Sequence, residues 1–185
     1  TNGVQYLNEV KDYVISGFTY AVDDGPLTRE FARGVKVNLE RAELHSDPVH
    51  RGPAQVIPMT RYAIFAGILS AEPMLLEPVM RLDAKSPMDL VGAVTKIVAG
   101  RRGQVLSLQQ RGYVGEVVAE MPASETFDLS EVLRSSTSGR AFWSLSFSRW
   151  APIPSTILPR LIEEIRKRKG LSPEPPKASE FIEKE

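Results

Sequence analysis

Hydrophobic positions change their spacing along the chain, and those changes delimit its elements. Over residues 4–18 the apolar residues Val4, Leu7, Val10, Val14, Ile15 and Phe18 recur every three or four positions, one apolar stripe on a helix. Asp23-Asp24-Gly25-Pro26 is a strong stop. From Val35 to Leu44 apolar and polar residues alternate, which predicts a half-buried strand. The stretch His45-Ser46-Asp47-Pro48-Val49-His50-Arg51-Gly52-Pro53 is too rich in Pro and Gly for regular structure and predicts a loop. A second, well-buried helix is expected over 54–69, with Pro58 near its first turn, where a missing N–H is tolerated.

A different rhythm begins after the Pro73–Pro78 link. Residues 79–85 read as a strand, and Ser86-Pro87-Met88-Asp89 as the cap and first-turn proline of a helix reaching about Arg101 and closed by Gly103. Two strands, 104–109 and 114–121, flank an Arg111-Gly112 turn. A short helix through Phe127, Leu129, Val132 and Leu133 precedes a strand, 141–150, dense in aromatics. This βαββαβ order is that of a ferredoxin-like sandwich. The tail predicts a helix through Ile157, Leu158, Leu161, Ile162 and Ile165. Glu163 and Glu164 stand four residues before Lys167 and Arg168, and an extended, mobile segment follows from Ser172. The expected fold class is α+β: two small α/β-sandwich domains, 1–77 and a ferredoxin-like 78–152, with a C-terminal helix and tail over 153–185.

Composition narrows the chemistry. The 185 residues hold 23 Lys plus Arg against 23 Asp plus Glu, so nucleic-acid affinity must come from a local patch rather than bulk charge. With no cysteine, disulfides, thiolate catalysis and Cys-ligated metals are excluded. No phosphate loop or dinucleotide fingerprint gives a nucleotide a seat, and no HExxH-type spacing supplies a metal set. No apolar run reaches the roughly 20 residues that span a bilayer, so a soluble, cytoplasmic chain without a membrane partner is expected. The composition points to a domain with no catalytic residues, no metal and no cofactor.

Both histidines, His45 and His50, fall in the Pro-rich loop. His50 reads either as a surface residue without a task or as a rigid tip presented to a partner. A catalytic role with Asp47 orienting the ring is the remaining option, although no serine, cysteine or carboxylate spacing suggests a triad or dyad. Over residues 33–62 cations exceed acids by two, a surplus compatible with a phosphate-rich partner. The cationic run Arg166–Lys169 reads as a solvated helix end. Trp143, Leu145 and Phe147 alternate as one buried face, favouring core packing over a base-stacking platform.

Several motifs together resemble the elongation factor 2 family of ribosomal translocases. Gly3-Val4-Gln5-Tyr6-Leu7-Asn8-Glu9-Val10 is similar to a helix opening in that family's fourth domain, and Leu44 to Gln55 to its tip loop. Leu75-Leu76-Glu77-Pro78-Val79, Arg101-Arg102-Gly103-Gln104-Val105 and Ser135 to Ala141 match landmarks of its fifth domain. Gly-Pro-Ala-Gln after Arg51 and the ending Arg-Lys-Gly-Leu-Ser-Pro-Glu-Pro-Pro have an archaeal character.

The resemblance implies a C-terminal fragment of a GTPase, with an incomplete fourth domain whose opening strands lie upstream. The GTP- and Mg-binding domain is also expected upstream, so this fragment is not expected to be an enzyme. The implied partner is the ribosome: rRNA, and the tRNA–mRNA duplex at the decoding centre, which the tip loop 45–53 enters during translocation. His45, Asp47, His50 and Arg51 are the implied tip contacts. His50 is the implied diphthamide site, which adds diphthamide-synthesis enzymes and ADP-ribosylating toxins to the expected partners. A free-standing ferredoxin-like binding module without a ribosomal role is the alternative.

Overall fold

The computed structural model describes residues 6–182; Val4, first in the predicted apolar stripe, lies outside them. Two compact units form, one from Thr1–Met74 with Ser155–Glu185 and the other from Leu75–Pro154. The C-terminal helix and tail, which the sequence set apart, thus group with the first unit.

In the second unit β1 (Leu76–Pro87), α3 (Val91–Ala99), β2 (Gln104–Arg111), β3 (Val114–Pro122), α4 (Leu129–Ser136) and β4 (Phe142–Pro152) follow the predicted βαββαβ order. The strands build one antiparallel sheet in the order β2-β3-β1-β4. Leu82 and Ala84 of β1 sit opposite Ala119 and Val117 of β3, on the face that buries Val91, Val94 and Val98 of α3 and Leu129 and Leu133 of α4. Two periodicities, 2 on the strands and 3.6 on the helices, therefore converge on one core. Gly115 allows the close fit: a Cβ there would stand 2.2 Å from Val91 Cγ2.

Several local expectations are corrected. Ser86 does not cap α3; the ladder runs on through the Ser86–Gly115 and Pro87–Val114 pairs, and a short 3₁₀ turn, Met88–Leu90, intervenes. Gly103 does not supply the left-handed residue after α3. Arg102 does, with φ 53°, its guanidinium held by Glu77 and Glu125 at 2.8 and 3.0 Å. Gly103 is required for space, since a Cβ would lie 2.6 Å from the Val98 carbonyl oxygen. Phe127 precedes α4 and is 89% exposed. Of the aromatic strand only Trp143 packs on the core. Leu145 and Phe147 share its face, opposite Leu82 and Met80, yet remain substantially exposed because β4 is an edge strand.

In the first unit α1 (Leu7–Asp23) and α2 (Pro53–Ser70) pack together. Gly17 permits it, a Cβ there falling 2.7 Å from Thr60 Cβ. Pro58 sits inside α2 rather than in its first turn. The predicted strand over 35–44 is not formed: Ala42 alone makes an isolated bridge, and Val35 and Val37 are exposed. A strand needs a neighbour along its length for its N–H and C=O groups, and beyond the single Ala42 bridge no ladder forms with this segment among the described residues. It instead lines, with α1 and α2, an open apolar groove of about 1000 Å³ that includes Val14, Phe18, Val37, Leu39 and Met59.

The last helix, α5 (Leu158–Arg168), carries a buried arginine in its final turn. Arg166 donates from Nε to the Ser172 carbonyl at 2.6 Å and from Nη1 to the Leu27 carbonyl at 2.7 Å. Burial, reinforced by nearby Arg29, pushes its pKa below the usual arginine value. Glu163 pairs with Lys167 as expected, but Glu164 pairs with Arg160 rather than Arg168. Residues 172–176 form neither helix nor strand, in keeping with an extended tail, and beyond them Phe181 packs against Phe65 and Tyr62, ring centroids 5.3 and 5.6 Å away. No described helix is long and apolar enough to cross a membrane.

Candidate functional site

The histidine loop lies just before α2 and is more ordered than its composition suggests. Asp47 accepts the Val49 N–H at 3.0 Å and caps a single 3₁₀ turn, Pro48–Arg51, which Pro48 starts with its fixed φ. The His50 N–H donates to the Asp47 carbonyl at 3.1 Å. The stretch therefore contains one turn of regular structure where none was expected. Gly52 and Pro53 then lead directly into α2, whose first N–H groups at Gln55 and Val56 donate to the Gly52 carbonyl.

Both histidines are exposed, and they touch. Their ring centroids are 4.6 Å apart in an edge-to-face arrangement. His45 Nδ1 accepts the Asp47 backbone N–H at 3.0 Å, which directs the ring proton of neutral His45 to Nε2. With its carboxylate capping the turn, Asp47 orders the backbone beneath His50. The arrangement presents two imidazole edges; it does not build the Asp–His pair considered from the sequence.

Arg51 is the residue whose placement differs most from expectation. It belongs to the expected tip contacts, yet its side chain is only 4% exposed. Nη1 donates to the carbonyls of His45 and Ser46 at 2.8 and 2.6 Å, while Nε and Nη2 donate to Glu9 Oε2 at 3.1 and 2.6 Å. Its guanidinium lies over the Tyr6 ring, 3.9 Å from the centroid. Tyr6 and Glu9 stand in the motif that opens the first helix, and nothing in their spacing to the loop announces the contact. The structure thus brings His45, Asp47 and His50 together at the surface and turns Arg51 inward.

Other cations are engaged within their own units. Arg61 bonds Asp24 at 2.7 Å and Arg41 pairs with Glu43, so part of the local basic surplus is consumed. Arg101 forks onto Asp128 at 2.6 and 2.7 Å and also donates to the Glu125 carbonyl. That hydrogen bond holds the Asp128 carboxyl below the usual carboxylate range. No group of three or more described His, Asp or Glu residues could hold a metal ion.

The profile of elongation factor G domain IV matches residues 1–72, and that of the elongation factor G C-terminus matches residues 74–161. The chain is 52% identical over 182 residues to elongation factor 2 of Staphylothermus marinus, with 98% of the chain aligned to 25% of the relative. It is 48% identical over 183 residues to that of Pyrobaculum neutrophilum, where 99% of the chain again matches 25% of the relative. The chain belongs to the elongation factor 2 family. It spans about a quarter of the length of these archaeal relatives. In the family's terms the histidine loop lies within the domain IV match of elongation factor G, and the ferredoxin-like unit within the C-terminal one.

Proposed function

We propose that the chain is the C-terminal part of an archaeal elongation factor 2 and that its histidine loop is the working tip of a ribosomal translocase. In this reading the loop 45–53 enters the decoding centre as tRNA and mRNA move, in the cytoplasm. GTP binding with Mg and GTP hydrolysis belong to other parts of the full-length factor. His50 is the residue converted to diphthamide by dedicated enzymes, and hence the target of ADP-ribosylating toxins. The observation that carries the reading is the exposed, touching His45–His50 pair on a turn braced by Asp47 and Pro48. A loop ordered in advance loses little conformational entropy on entering a crowded RNA site. A cationic adduct on His50 would face phosphates and bases where positive charge is favourable.

The test is reading-frame fidelity in the full-length factor. His50→Ala is expected to raise frameshifting during translocation while GTP hydrolysis stays near wild type. Unchanged fidelity would sink the tip reading.

A further inference from the structure

We propose that Arg51 is an internal positioning residue of the tip, acting through Glu9 and Tyr6 on α1, and that it makes no contact with nucleic acid. The proposal rests on the tip reading above only for its consequence in translation.

An arginine that reads RNA keeps its fork open to phosphate or base edges. Arg51 has spent its fork already. Four of its five N–H groups are used, two on loop carbonyls and two on one carboxylate oxygen. One face of the guanidinium is covered by Tyr6, and the side chain is almost fully buried. Reaching a phosphate would require breaking a charge-assisted pair and leaving the His45 and Ser46 carbonyls without their donor.

The bonds run where a clamp needs them. His45 and Ser46 open the loop, Arg51 closes its 3₁₀ turn, and Glu9 lies 42 residues away in the first turn of α1. Arg51 therefore ties both ends of the loop to one another and both to a helix. His45 is fixed by its carbonyl, His50 is the neighbour of Arg51, and their ring contact depends on both ends staying in place.

A second consequence concerns charge. With Arg51 neutralised by Glu9, the outward side chains of residues 45–50 carry one formal charge, the Asp47 carboxylate. Any positive charge the loop offers to RNA is then carried by the histidine rings, through protonation or modification.

The test uses the full-length factor with ring-labelled histidine, four single variants (Arg51→Ala, Arg51→Lys, Glu9→Ala and Tyr6→Leu) and the Arg51→Ala/Glu9→Ala double variant. Free of the ribosome, Arg51→Ala is expected to move the His45 and His50 ring resonances toward those of an unstructured peptide. Arg51→Lys, which keeps the charge and loses the fork, should do the same. Glu9→Ala, a half-exposed site outside the loop, should reproduce the shift in the same direction, and the Arg51→Ala/Glu9→Ala double variant should add little. The single Glu9→Ala variant also carries the test if Arg51→Ala fails to fold. The salt dependence of ribosome binding should keep its slope in all four, whereas loss of a phosphate contact would reduce it by about one.

Histidine resonances unmoved in both Arg51→Ala and Glu9→Ala would overturn the proposal. So would a reduced salt slope in Arg51→Ala with wild-type behaviour in Arg51→Lys and Glu9→Ala. If the resonances move as expected and frameshifting does not change, the clamp stands and the tip reading falls.

Discussion

The two units treat the same kind of hydrophobic pattern differently. In Leu75–Pro154 every strand finds a neighbour within the unit, and on the two central strands, β1 and β3, alternation becomes burial: Leu82 is fully buried between partners on β3 and β4. In the first unit residues 35–44 alternate just as well, yet Val35 and Val37 remain exposed beside an open apolar groove. Period two records which side of a strand is meant to be buried. Whether it is buried depends on a partner for the backbone, which the pattern does not encode.

Replacing a fully enclosed residue breaks this contrast most severely. Leu82→Ala is expected to cost about 2–5 kcal/mol. Both tryptophans, Trp143 and Trp150, lie in the second unit, so urea unfolding followed by tryptophan fluorescence reads that loss directly. Gly115→Ala comes next. Its methyl would meet Val91 Cγ2 and Met88 Sδ at 2.2 and 3.0 Å and force α3 off the sheet, at about 1–3 kcal/mol in the same assay.

Acid sharpens the comparison further. The Arg101 hydrogen bond depresses the Asp128 pKa, so the pair's contribution is complete above the unfolded carboxylate value of about 4 and fades as pH falls through the lower folded value. The stability advantage of wild type over Arg101→Ala should therefore be full at neutral pH and shrink below about pH 4. A pH-independent difference in unfolding midpoint would contradict this assignment. The smallest effect belongs to the segment 35–44, which forms no strand: Val37→Ala should change stability by no more than about 0.5 kcal/mol, measured by far-ultraviolet circular dichroism. A loss as large as that of Leu82→Ala would show that 35–44 is held far more firmly than its exposure indicates.

The same distinction explains what the sequence made legible. The βαββαβ order, the α1 stripe, the existence of α2 and the exposed histidine loop follow from local spacing and turn chemistry. The misses are settled by partners distant in sequence. Arg102 accepts a left-handed backbone beside Gly103 because Glu77 and Glu125 hold its guanidinium. Phe147 shows core alternation but lies on an edge strand. Phe181 gives the tail an anchor on α2. At the site, His45 and His50 were legible as a loop pair, while the inward turn of Arg51 depends on Glu9, which no loop motif reveals.

The most direct test of the tip assignment is tandem mass spectrometry of the tryptic peptide Ala42–Arg51 from factor purified out of its native cells. The peptide contains both histidines, so fragment ions must localise any added mass. Added mass on His50 with His45 unmodified is the predicted result. Unmodified His50, or added mass on His45 instead, would contradict the assignment of His50 as the diphthamide-bearing tip.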